Sequence, residues 1–314
     1  MRVFRGFHRP AAFATVLTLG NFDGMHRGHR ALLARLLEKS SALAATAAAV
    51  TFEPHPREFF TPDSAPARLS TLREKLEAFA AAGVEAVYVT PFTTAFAALP
   101  AEAFVEERLC RNLKARHVIV GDDFRFGAGR LGDFAYLKAA GRALGFGVEA
   151  MPTVTLSGER ISSSAVRAAL AAGELAKAAD FLGRPYAIAG QVVHGQKLGR
   201  QLGFATANIR IRHNPLPMQG VFVVTVSSMD GQSFLPGVAN LGLRPTLNPD
   251  GVRVMRPLLE AHLLDFSGNL YGAHLNIAFL HKLRDEISFP HLDALKTQIA
   301  DDVRAARNFF AATS

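Results

Sequence analysis

The chain has 314 residues, 49% of them apolar, with 35 Lys and Arg against 27 Asp and Glu for a formal charge of +8. That length predicts two domains, no apolar run reaches the ~18 residues that cross a bilayer, and a single cysteine, Cys110, excludes an internal disulfide or a cysteine-rich zinc site and fits the cytoplasm. The positive charge points to anionic partners, and with scattered basic residues, no tryptophan and only 4 tyrosines the chain favours small anions over nucleic acid.

The opening MRVFRGFHRP has arginines but no long hydrophobic segment, so no secretory leader is expected. From there to about residue 185, TVLTL, AAAVTF, VEAVYVT, HVIVG and VEAM read as strands buried on both faces. Between them ALLARLLEKSSALAA, STLREKLEAFAAAG and AEAFVEERLCRNL carry helical periodicity, the second with a Thr71 to Glu74 capping box and Gly83 as a stop. This alternation predicts an α/β domain with a parallel, Rossmann-like sheet and helices on both faces, its ligands beyond the carboxyl ends of the strands.

The first strand hands over to the first helix through TLGNFDGMHRGHR, Thr18 to Arg30. Gly20 and Gly24 allow a tight turn and close backbone approach, and a helix N-terminus attracts phosphate. His26 and His29, three apart, can point the same way and aim imidazole N–H donors at charge developing on an attacked phosphate. A zinc reading needs about three or four protein ligands, and Asp23, Glu53 and His55 make no recognised spacing with the pair. Two exposed polar residues in a first helical turn is the plainer alternative, which the surrounding strand, glycines and acidic residue weaken.

Further along, VGDDFRFGAGRLGDF, Val120 to Phe134, again follows a strand and again has the glycines of a ligand loop, or of a turn whose aspartates cap the next helix. RISSSAVRAAL, Arg160 to Leu170, opens a helix with serines that could be ordinary caps. Arg167 argues for more, because a cation near the positive helix end is unfavourable unless an anion lies between them. Arg160, Ser163, Ser164 and Arg167 would suit the β- and γ-phosphates of ATP.

After LGRPY, residues 182 to 186, AIAGQVVHG, GVFVVTVSS, FLPGVANLG, LLEAHLLDF and HLNIAFLHK alternate between glycine and proline breaks, which predicts a small antiparallel β-barrel. Leu292, Leu295, Ile299 and Val303 then fall at helical spacing, so a terminal helix closes the chain. Domains of residues 1–184 and 185–314 follow. GQKLGRQLGFATANI has glycines at Gly195, Gly199 and Gly203, cations at Lys197 and Arg200, then Thr206 and Asn208. It lacks the Walker ending, yet such a loop can cover phosphates while a hydroxyl and an amide help coordinate Mg²⁺. A glycine-rich hairpin loop is the plain reading.

GNFDGMHRGH resembles the H-x-G-H signature of nucleotidyltransferases in the form found in bacterial FMN adenylyltransferases, and RISSSAVRAAL resembles that family's second ATP motif. The resemblance implies nucleotide binding by Gly20, Asn21, Phe22, Asp23 and Asp123, catalysis by His26 and His29, and Phe52 to Pro56 as pocket lining. GQKLGRQLGFATANI, GVANLGLRPTL and LLEAHLLDFSGNLYG resemble riboflavin kinases, with Ala205 where their signature has proline. This implies Thr206 and Asn208 as Mg²⁺ ligands and Glu260 as the base that takes a hydroxyl proton; on an alternating strand Glu260 shares a face with His262. Together the motifs resemble the bacterial bifunctional riboflavin kinase/FMN adenylyltransferases, which implies ATP, riboflavin, FMN and FAD as ligands, Mg²⁺ as cofactor, no nucleic-acid or membrane partner, and a cytoplasmic monomer or weak homo-oligomer. A tRNA-directed enzyme would share the H-x-G-H turn, and a flavin-sensing regulator would keep the flavin pocket but could dispense with Glu260, His26 and His29.

Overall fold

A computed structural model describes residues 1–7, 9–194, 204–211, 213, 215–228, 234–247 and 253–313. The chain divides into two compact units, one of Met1–Pro66 with Leu72–Ser162, the other of Ala67–Thr71 with Ser163–Ser314.

The first unit is built on a six-stranded sheet of β1 (Arg2–Arg5), β2 (Thr15–Leu19), β3 (Thr46–Glu53), β4 (Ala86–Pro91), β5 (Ala115–Gly121) and β6 (Gly147–Met151), in the order β1-β4-β3-β2-β5-β6. Every pairing is parallel. Successive residues of the central strands alternate between two apolar cores: Leu17, Ala48 and Val118 face one, Val16, Ala47 and Ile119 the other. Burial on both faces explains why these strands read as continuous apolar runs. The strand order reverses at β2, whose neighbours are β3 and β5, and ligands of such sheets bind at that crevice.

The helix α1, Arg27–Ala42, starts four residues before its apolar pattern, because His26 supplies the cap. Leu72–Ala81 is helical and stops near Gly83, at φ 87°. The segment read as one helix from Ala101 is α-helical only to Ala103 and π-helical over Phe104–Asn112. Its wider hydrogen bonding is visible where the Leu113 N–H reaches the Arg108 carbonyl at 3.0 Å.

In the second unit, helices Ser163–Ala171 and Leu175–Leu182 precede a closed antiparallel barrel. Its strands are β9 (Tyr186–Val193), β10 (Thr206–Arg210), β11 (Gly220–Ser228), β12 (Phe234–Leu247), β13 (Arg253–Leu263) and β14 (His274–Arg284); β7 (Thr155–Leu156) and β8 (Glu159–Arg160) form a hairpin in the first unit. β10 is a strand where the sequence suggested only loop. The terminal helix, Leu292–Thr313, packs Val303, Ala306, Phe309 and Phe310 onto Val221, Val223 and Val238 of the barrel.

Candidate active sites

β2 ends at Gly20, and three left-handed residues, Phe22 (φ 51°), Gly24 (φ 81°) and Met25 (φ 45°), turn the chain into α1. For the two with side chains this costs about 1–3 kcal/mol each, and both are buried in the core beneath α1, which holds them there. Asp23 is buried in the same loop, and the Asn21 carbonyl accepts a hydrogen bond from Thr51 Oγ1 at 3.2 Å.

His26 Nδ1 accepts a hydrogen bond from the His29 backbone N–H at 3.2 Å, so in the neutral ring the proton is on Nε2, a donor. The two imidazoles stack with centroids 3.6 Å apart and planes 16° from parallel. A Cβ on Gly28 would lie 3.2 Å from Cε1 and Nδ1 of His26. Glycine between the histidines is therefore what lets the first ring fold back over the helix. His29 is held well below the ordinary imidazole range, by burial first and then by the charges of His26 and Lys75. Its Nδ1 is buried with no hydrogen-bond partner among the described residues. Arg27 and Arg30 are exposed in the first turn of α1, which holds no acidic residue. Cations there are unfavourable without an anion, so the signal that singled out Arg167 could also have found this pair.

At the end of β5, Asp123 does not stand alone: Arg160 Nη2 donates to its Oδ2 at 2.5 Å, and Asp122 accepts from Thr153 Oγ1 at 2.8 Å. The Ile161 carbonyl would sit 3.8 Å from a Cβ on Gly28, so the hairpin end carrying Arg160 adjoins the histidine turn. Three separate stretches thus meet at the switch point of the sheet. Ser163, Ser164 and Arg167 belong to the second unit, where Arg167 Nε donates to the Ala67 carbonyl at 2.5 Å. Phe52 meets Phe92 edge-on at 5.9 Å, while His55 caps the short helix Pro56–Phe60 in a capping box with Glu58. No group of three or more His, Cys, Asp or Glu among the described residues is placed to hold a metal.

The second site lies inside the second unit. Asn208 on β10 and Asn240 on β12 are both register partners of Glu260 on β13, and Thr206 is the partner of His262. These five residues line a cavity of about 440 Å³ whose far wall is Leu295, Ile299 and Val303 of the terminal helix, a size suited to a small organic ligand. Leu259 and Ala261, on the opposite face of β13, are fully buried in the barrel core. Burial raises the Glu260 carboxyl above its ordinary range, with Arg244 acting against that shift. The Ala205 carbonyl lies 2.9 Å from His262 Nδ1, a contact through an atom that proline also has. Asn240 escaped the sequence reading: its Nδ2 donates to Glu286 Oε1 at 3.0 Å, and a Cβ on Gly242 would collide with that carboxylate. Arg284 forks onto Asp302 of the terminal helix at 2.7 to 3.2 Å. Gly195, Lys197, Gly199, Arg200 and Gly203 lie outside the described residues.

Comparison with known proteins matches residues 9–165 to the FAD synthetase family and residues 182–310 to the riboflavin kinase family. A bifunctional riboflavin kinase/FMN adenylyltransferase of Pseudomonas fluorescens is 50% identical over 98% of this chain and 97% of its own. Its counterpart in Escherichia coli (strain K12) is 48% identical over 100% of this chain and 99% of its own. Among solved structures, a macrolide-efflux protein from Streptococcus pneumoniae superposes with a TM-score of 0.82 at 26% identity, covering 98% of this chain and 99% of that one.

Proposed function

The chain belongs to the bifunctional riboflavin kinase/FMN adenylyltransferase family, and from that membership we infer how its residues share the two reactions. It is an enzyme of flavin-cofactor biosynthesis that phosphorylates riboflavin with ATP to FMN, then adenylylates FMN with a second ATP to FAD and pyrophosphate. The tRNA-directed and regulatory alternatives give way to this membership. No efflux role passes to this chain from the structural relative; no helix among the described residues is long and apolar enough to cross a membrane.

Adenylyl transfer is assigned to residues 1–184 and phosphorylation to residues 185–314, in keeping with the stretches the two families match. In the first, a phosphate oxygen of FMN attacks the α-phosphorus of ATP as the bond to pyrophosphate breaks. The nucleophile is already ionised, so no base is required and positioning with charge neutralisation carries the rate. His26 and His29 act there as N–H donors, above the backbone of Gly20, Asn21, Phe22 and Asp23. Asp123 orients Arg160 toward the nucleotide, and Ser163, Ser164 and Arg167 take the outer phosphates.

In the second reaction Glu260 removes the hydroxyl proton as the terminal phosphoryl group of ATP moves to that oxygen. Thr206 and Asn208 offer neutral oxygens on the cavity face of β10 beside that carboxylate, a donor set that fits Mg²⁺, which takes few protein ligands and completes its shell with phosphate and water. When bound, the ion neutralises phosphate charge. Gly195, Lys197, Gly199, Arg200 and Gly203 cover the phosphates. We further assign the enzyme to the cytoplasm as a monomer or weak homo-oligomer.

The observation that carries this division is the alignment of Asn208, Glu260 and Asn240 across three strands on one cavity. Product chromatography after incubation with riboflavin, ATP and Mg²⁺ tests it in variants. His29→Ala should give FMN without FAD, and Glu260→Ala should give FAD only from supplied FMN; loss of both activities in either folded variant would refute the division.

A further inference from the structure

Glu53 ends β3 at the ligand edge of the first sheet, and its Oε1 lies 3.0 Å from Nζ of Lys75, on the helix Leu72–Ala81. The Lys75 side chain is only 2% exposed. Lysine is almost never buried that fully unless paired, and a buried ion pair is seldom worth more to stability than apolar residues of the same volume. Stability is thus a weak reason for this pair to stand here.

Its surroundings offer another. One turn along the same helix face, Phe79 meets Phe22 edge-on with centroids 4.9 Å apart, and Phe22 in turn lies 5.1 Å from the His29 ring. One helix face therefore carries both the buried cation and the aromatic backing of the histidine stack. We propose that Lys75 is a positioning residue for adenylyl transfer, its ammonium group held by Glu53 on the helix face that backs the stack of His26 and His29 through Phe79 and Phe22. Among the described residues the charges that act on His29 are His26 on its own turn and Lys75 on the neighbouring helix; Glu53 meets Lys75, and Asp23 is buried in the preceding loop. Burial, His26 and Lys75 act on His29 in one direction, toward the neutral ring. Two neutral stacked rings keep their planes together and present N–H donors; a proton on each would set two cations against one another.

This rests on the assignment of His26 and His29 to adenylyl transfer. The test uses the full-length enzyme with Lys75→Met, Lys75→Arg and His29→Ala. FAD formation from FMN and ATP is followed from about pH 5.5 to about pH 8.5, across the ordinary histidine range. The His29 imidazole is titrated by NMR, and FMN formation from riboflavin reports the integrity of the other unit. Lys75→Met should raise the midpoint at which His29 takes up a proton and move the acid limb of FAD formation to higher pH. That loss should be about tenfold at low pH and small at high pH, with FMN formation unchanged and Lys75→Arg restoring the limb. Should the methionine variant not fold, Lys75→Gln, whose amide can still meet Glu53, carries the same expectation. An unmoved limb and an unmoved His29 midpoint would overturn the role of Lys75. So would a loss uniform across pH. If His29→Ala retains FAD formation, the site assignment itself fails; if it loses FAD formation while Lys75→Met keeps the wild-type profile, only the role of Lys75 does.

Discussion

Asn208 and Glu260 stand directly opposite one another on β10 and β13, with Asn240 opposite on β12, so the proposed base has an amide on each neighbouring strand, and the Arg244 charge acts on it as well. Burial dominates its environment and lifts its carboxyl above the ordinary range. A base that binds its proton somewhat more firmly is better matched to neutral pH.

Glu260→Gln keeps the shape and removes the base. FMN formation should fall by about 10² to 10⁴-fold, while FAD formation from supplied FMN continues at the wild-type rate. Stability should move the other way. With a folded-state pKa above the unfolded one, the native protein holds more protons than the unfolded chain between the two values, so stability falls as pH rises through that window and stays lower above it. The glutamine variant escapes that loss. Its unfolding midpoint at neutral pH, compared with the wild type in the absence of ligands, should be equal or higher.

For His29 the sign reverses with pH. Its folded-state pKa lies below the unfolded value near 6.5, so as pH falls below that value the unfolded chain takes up protons that the native state refuses, and stability declines. His29→Asn should flatten this acid-side decline in denaturant titrations across pH. The same variant should lose about 10² to 10³-fold in the rate of FAD formation if the ring donates to the transition state, with a smaller change in KM for ATP.

Gly28→Ala separates helix stability from site geometry. Alanine is favoured over glycine by about 0.5 to 1 kcal/mol in a helix interior and by less at the second residue of α1, where Gly28 stands, which predicts a melting temperature close to that of the wild type. Yet the added Cβ would press on the His26 ring at 3.2 Å, tighter than ordinary contact, and either the ring or the helix start must shift. FAD formation should drop while FMN formation holds. A variant with wild-type FAD activity would show that the ring position does not matter to the reaction.

Where one physical signal decided an element, the sequence was enough. The central strands of the first unit announced themselves because burial on both faces demands unbroken apolar runs, and β9 of the barrel because one buried face demands alternation, while β11, covered on its outer face by the terminal helix, is buried almost throughout. In edge strand β1 only Phe4 is partly buried and its neighbours are exposed, so no apolar run marks it. β10 hid for another reason: Thr206 and Asn208 turn polar side chains toward a cavity rather than a core, and Ala207 between them is small. The π-helical stretch after Ala103 changes the hydrogen-bond ladder without changing composition. Among candidate site residues, the motifs singled out Thr206, Asn208 and Glu260 but not their row through Asn240, because register between distant strands depends on turns that local pattern does not specify. Lys75 was invisible for a related reason: in sequence it is one more charged residue on an amphipathic helix, and only the fold brings Glu53 to meet it.

The terminal helix supplies the last prediction. Arg284, at the end of β14, holds Asp302 with a two-nitrogen fork, and the Asp302 side chain is 6% exposed. Asp302→Ala would leave the guanidinium without its carboxylate in a largely buried place, which costs about 3 to 5 kcal/mol. The penalty falls on the seating of a helix whose Leu295, Ile299 and Val303 wall the cavity. Riboflavin kinase activity should therefore lose heat resistance, and KM for riboflavin should rise more than kcat falls. Replacing both partners, as Arg284→Met with Asp302→Leu, removes the unpaired charge as well as the pair and should recover most of the lost heat resistance. If the double variant is no better than Asp302→Ala alone, Arg284 is doing something in the cavity besides holding the helix, and riboflavin binding by the two variants would show it.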